Sequence, residues 1–75
     1  MEEKQPHLHN RSIRLLMLYA VPKARISEQA LEFFRQELEL YIIKKTREAY
    51  SLARHGNRKT ILPEDVSIAL GKETL

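Results

Sequence analysis

The 75-residue chain predicts an all-α fold of three helices in the order short, long, short. Three observations carry that reading. Residues 28–55 run without Gly or Pro and close at Gly56. Within that run Leu31, Phe34, Leu38, Ile42, Ala49 and Leu52/Ala53 recur at three- and four-residue steps, with Lys45 and Thr46 filling the gap, which is the period of one helix face. Pro22, Gly56 and Gly71 punctuate the pattern, and nothing between them alternates like a strand.

The elements follow in order. Residues 1–9 are polar, contain Pro6 and read as a disordered N-terminal tail. Asn10 or Ser12 offers an N-cap for the first helix, "SIRLLMLYA", which stops before Pro22 because the residue preceding a proline disfavours the α region. "VPKARIS" is a connection of ordinary length. Ser27 is a good N-cap for the long helix, and Glu28 suits the positive end of its dipole. That helix spans roughly 42 Å at 1.5 Å per residue and meets Gly56 as a natural C′ residue. "GNRKTI" is a second connection. A third helix follows a cap at Thr60 or Leu62, with Pro63 tolerated in a first turn that needs no N–H. It carries Val66, Ile68, Ala69 and Leu70 on one side and ends at Gly71. Residues 10–71 form one domain and 72–75 a C-terminal tail.

Composition narrows the possible functions. A core this small barely offsets chain entropy, so a disulfide, a metal or a partner chain is expected to help. The chain has no Cys, which excludes disulfides and thiolate metal sites. His7 and His9 read as polar tail rather than as metal ligands. Oligomerisation is the remaining aid. No apolar run is long enough to span a bilayer and the N-terminus has no signal-peptide core, so a cytoplasmic protein is expected. There is no Gly-rich phosphate loop, no acid pair in a plausible cleft, and no Ser with a nearby His and acid. No catalysis, cofactor or small-molecule substrate is predicted.

Charge is unevenly placed. Residues 11–27 carry +4 and residues 56–62 carry +2, while residues 28–55 balance five acids against five bases. Lys44, Lys45 and Arg47 stand at helical spacings from Glu37, Glu39 and Glu48 and read as surface ion pairs. His55 suits the negative end of the helix dipole, and Tyr41 and Tyr50 read as packing residues with a wet hydroxyl.

The long helix is apolar on more than one side, since Leu40, Tyr41, Ile42 and Ile43 are consecutive. Two short helices cannot cover it, so a second chain is expected over Leu31, Phe34, Leu38, Tyr41, Ile42, Ala49 and Leu52. A monomeric three-helix bundle is the alternative. If two long helices cross antiparallel about a two-fold axis, each end of the dimer collects Lys23 and Arg25 from one chain and Arg58 and Lys59 from the other. Ser27 and Thr60 add hydroxyl groups there. The ends lie roughly 40 Å apart, close to the span of about 34–36 Å for one duplex turn. That pattern predicts contact with the phosphates of double-stranded DNA.

A family resemblance becomes specific at these residues. "LARHGNRKTILPEDVSIAL" resembles the second loop and third helix of histone-fold proteins, closest to the small archaeal histones, and "ARISEQAL" resembles their first loop and the start of the central helix. The resemblance implies the histone fold, a handshake dimer, and DNA bent around it. Backbone-plus-deformability binding of this kind has the histone octamer as its reference case. By position it implies Arg25 as a minor-groove residue, and Lys59 and Thr60 as phosphate contacts. It implies an Arg58–Asp65 pair tying the second loop to the third helix. Leu52, His55, Asp65 and Ile68 match positions that join dimers into tetramers or longer arrays.

The first helix departs from the family pattern. "RSIRLLMLY" replaces a more polar helix and leaves only Arg11 and Arg14 to reach DNA; an apolar first helix offers a different dimer–dimer face. Pro22 and Asn57 are further departures. The functional expectation is a chromosome-associated architectural protein that compacts DNA as a homodimer. The alternative is a histone-fold subunit that pairs with a different histone-fold chain in a transcription or chromatin complex.

Overall fold

The computed structural model describes residues 7–71. It contains α1 (Asn10–Ala20), α2 (Glu28–His55) and α3 (Pro63–Ala69), and no strand among the described residues. The expected tails at residues 1–6 and 72–75 lie outside the described residues. The chain packs as two compact units, one reaching to Glu39 and one beginning at Leu40.

In the first unit α1 packs on the opening turns of α2. Ile13 and Leu31 are buried there, Leu31 to 1 % exposure. Ile13, Leu16, Met17, Ala20, Phe34 and Leu38 line an apolar groove of about 310 Å³. A polar clasp runs beside it. Glu39 Oε2 accepts the backbone N–H groups of His7 and Leu8, each at 2.9 Å, and Arg35 Nη1 at 2.9 Å. Arg35 also donates to Glu32, which accepts from Asn10 Nδ2 at 3.3 Å. Residues 7–9, expected to be disordered, are therefore held against α2.

This clasp changes how α1 begins. The N-cap is His9, in extended backbone and with no side-chain cap bond, rather than Asn10 or Ser12. Asn10 is already inside the helix, and its amide is spent on Glu32. Between α1 and α2, Pro22 and Lys23 form a turn closed by the Ala24 N–H on the Val21 carbonyl at 3.0 Å. Proline presets φ at the second position of such a turn. Ser27 caps α2, its Oγ accepting the Ala30 N–H at 3.0 Å.

In the second unit the closing half of α2 meets α3 through Ala49, Ala53 and Ala69, all buried. The α2 terminus differs from the expected glycine C′. Arg58 N–H reaches the Ala53 carbonyl at 2.9 Å and Asn57 N–H reaches that of Arg54 at 2.9 Å. Those two bonds make a Schellman end in which Asn57, at φ 61°, holds the left-handed position. Gly56 sits one residue earlier and leaves room for Arg58: a Cβ there would stand 3.3 Å from its Nη2. Leu62 caps α3 and Pro63 follows at its first position. Val66 and Leu70 line a groove of about 170 Å³ with Tyr41, Ile42 and Ile61. Ile68, expected on that same side, points away and is exposed, because two residues of helix rotate it by about 200° from Val66.

Candidate nucleic-acid interface

The loop at residues 21–27 presents Lys23 and Arg25, both exposed. The loop at residues 56–62 presents Lys59 and Thr60, also exposed. Among the described residues, no acid lies within ion-pair distance of Lys23, Arg25 or Lys59. Ser27 Oγ accepts the capping bond, which leaves its hydroxyl proton free to donate.

Arg58 and Arg14 are placed differently. Arg58 donates through Nη1 to Asp65 Oδ2 at 2.9 Å and to the Thr60 carbonyl at 3.0 Å, and through Nη2 to Asp65 Oδ1 at 3.2 Å. This two-pronged pairing spends the guanidinium on the loop itself. Asp65 Oδ2 also accepts the Leu62 N–H at 2.8 Å, so one carboxylate holds both the loop and the α3 cap. The Arg58 hydrogen bonds, followed by that of Leu62, hold the Asp65 carboxyl below its ordinary value, and Arg58 is raised in turn. Arg14, expected as a DNA contact, donates to Glu28 at 2.5 Å. Arg11 is exposed on α1.

The remaining expected contact residues divide into two sets. Phe34, Tyr41 and Ile42 are exposed, and Leu38 and Leu52 are half-buried, so each has apolar surface to give a partner chain. Leu31 and Ala49, each 1 % exposed, belong to the packing of a single chain and have no surface left to give. His55 and Ile68 are exposed, whereas Asp65 is 3 % exposed and turned onto Arg58. Asp65 therefore offers no open carboxylate for a contact between dimers.

Sequence spacing also left Arg35 unremarked. Its 7 % exposure, between Glu32 at i−3 and Glu39 at i+4, makes it a buried charge with two acid partners. The E-x-x-R-x-x-x-E spacing was the available signal. Arg35 and Asn10 lower Glu32 below its ordinary value; the Leu8 and Arg35 bonds do the same for Glu39.

Three helices in short–long–short order, with an Arg–Asp clasp between the second loop and the third helix, define a histone-fold chain. The family model for "Histone-like transcription factor (CBF/NF-Y) and archaeal histone" matches residues 10–70, and the protein belongs to that family. It is a histone-fold protein and not an enzyme. It is 41% identical over 46 residues to the probable archaeal histone 3 of Methanocaldococcus jannaschii, covering 61% of this chain and 69% of that one. It is equally similar, over the same shares, to one subunit of the archaeal histone HAN1 from Thermococcus zilligii. No solved structure matches the chain significantly.

Proposed function

We propose that the protein binds double-stranded DNA through its backbone as a homodimer, bending or compacting the duplex without reading its sequence. The observation that carries this is that Lys23, Arg25 and Lys59, in the two loops that flank α2, have no acid partner among the described residues, while Arg14, Arg35, Lys45 and Arg58 are taken by acids of the same chain. Family membership and the archaeal histone relatives support the same reading.

The dimer is a second chain laid over the exposed Phe34, Tyr41 and Ile42 and the apolar groove in each unit. Each large side chain so covered contributes roughly 1.5–3 kcal/mol. Antiparallel crossing of two α2 helices brings residues 23–27 of one chain to residues 58–60 of the other. Each composite pad then holds Lys23, Arg25 and Lys59, with the Ser27 and Thr60 hydroxyls donating to phosphate. Arg58 braces the pad from within. Assembly beyond the dimer at the α2–α3 end rests on Leu52, His55 and Ile68. The protein then resides on the chromosome; among the described residues no helix is long and apolar enough to cross a membrane.

A second reading has its own support, because the family description includes transcription factors and one relative is named as one subunit of its histone. In it, the chain pairs with a different histone-fold chain and acts mainly through protein contacts. The solution mass of the purified chain separates the two. A stable homodimer whose affinity for duplex falls on doubling the salt supports the first. A chain that is unfolded or insoluble until a partner is added supports the second.

A further inference from the structure

The closing half of α2 carries a second stripe, apart from the one given to the dimer partner. Leu40, Ile43, Arg47, Tyr50 and Arg54 follow at three- and four-residue steps, and all five are exposed, Leu40 to 60 %, Ile43 to 44 % and Tyr50 to 42 %. At about 100° per residue, its mean direction lies roughly 170° around the helix from that of Tyr41, Ile42, Ala49 and Leu52. The stripe is basic as well as apolar. Residues 40–55 hold four Lys or Arg and one acid, Glu48, which Lys45 takes at 3.2 Å. Helical spacing predicts ion pairs for Lys44 and Arg47 too, but Glu39 is taken by Arg35 and Glu48 by Lys45. Among the described residues, neither they nor Arg54 has an acid within ion-pair distance.

We propose that this stripe docks an acidic amphipathic helix of another protein. Such a helix has apolar residues at three- and four-residue steps and Asp or Glu at the levels of Lys44, Arg47 and Arg54. From Leu40 to Arg54 the stripe runs about 21 Å, or about four helical turns. Charge complementarity selects the partner. A second copy of this chain has few acids to bring: among the described residues Glu28, Glu32, Glu39, Glu48 and Asp65 are in ion pairs, and only Glu37 and Glu64 are not. Duplex phosphate suits Arg47 and Arg54 but has no apolar surface to offer Leu40 or Ile43. A bilayer suits the apolar side chains, yet Arg47 stands between Ile43 and Tyr50 in the same line, where immersion in hydrocarbon is costly. A helix meets both needs, because apolar side chains and carboxylates can alternate along one of its faces. The contact uses none of Lys23, Arg25 or Lys59, and it stands whether or not the chain binds DNA.

The test is fluorescence anisotropy of labelled synthetic peptides, each about four to five helical turns long, titrated with the full-length chain. One peptide has Leu at three- and four-residue steps flanked by Glu; a second replaces every Glu by Lys, and a third replaces every Leu by Ser. The Leu–Glu peptide should bind about tenfold or more tightly than either control. Its affinity should fall as salt rises from about 0.1 M to about 1 M, which shortens screening from about 10 Å to about 3 Å. Ile43→Ala and Arg47→Glu, both at exposed positions, should each weaken binding about tenfold or more with helix content unchanged by circular dichroism. Arg47→Glu should also gain affinity for the Leu–Lys peptide. No preference for the Leu–Glu peptide over the controls would overturn the proposal, and so would equal binding by wild type and both variants. Loss of duplex affinity in Arg47→Glu with no peptide bound would assign the stripe to phosphate instead. Ile43-dependent binding to phosphatidylserine vesicles with no peptide bound would assign it to lipid.

Discussion

Asp65 accepts three hydrogen bonds, two from Arg58 and one from the Leu62 backbone, at a position with almost no exposure. Its folded pKa is lowered, so its contribution to stability is full above the unfolded value, about 3.9. That contribution drains as pH falls through the lower folded value. Asp65→Asn should therefore lower the thermal midpoint at neutral pH and flatten its fall below about pH 4, as followed by circular dichroism. Arg58→Ala strands the same carboxylate and should also destabilise. Exposed Arg25 and Lys59 behave oppositely: each Ala variant should stay within about 0.5 kcal/mol of wild type in urea unfolding. Ser27→Ala, which removes the α2 cap, should cost about 1 kcal/mol in the same experiment.

At the level of elements, the two ends of α2 show how local signals are outvoted by geometry. Ser27 and the Gly-free, Pro-free run located Glu28–His55 from sequence, because capping and periodicity are local. Sequence alone places the left-handed C′ position at Gly56. Asn57 takes it, and Gly56 instead gives the Arg58 guanidinium room over the helix end. Asn57→Ala should thus cost about 1 kcal/mol or more, Asn57→Gly should be neutral or better, and Gly56→Ala should be mild, by chemical denaturation. The start of α1 was less legible, since Glu39 holds His7 and Leu8 from about thirty residues away and no spacing rule reaches that far. Likewise, the loop cations could be read as exposed from their place in turns. That Arg14 is spent on Glu28 is a tertiary fact. Periodicity grouped Leu31 and Ala49 with Phe34 and Ile42, yet it cannot say which apolar residues one chain covers by itself.

For the molecule as a whole, two grooves and a set of exposed apolar side chains on one small chain make the single copy incomplete. In the proposed homodimer, pairing two copies would cover that surface and bring the loop cations of the two chains together. The claim that both loops face phosphate in a two-chain particle has a direct consequence in salt dependence. Each phosphate contact contributes a slope of about −0.9 to log affinity against log salt, and a dimer carries Arg25 and Lys59 twice. The deciding measurement is duplex affinity of wild type and the Arg25→Ala/Lys59→Ala variant across a salt series. The account predicts a steep wild-type slope that becomes shallower by about 3–4 in the variant, with the thermal midpoint nearly unchanged. Equal slopes for the two proteins, or a wild-type affinity indifferent to salt, would contradict it.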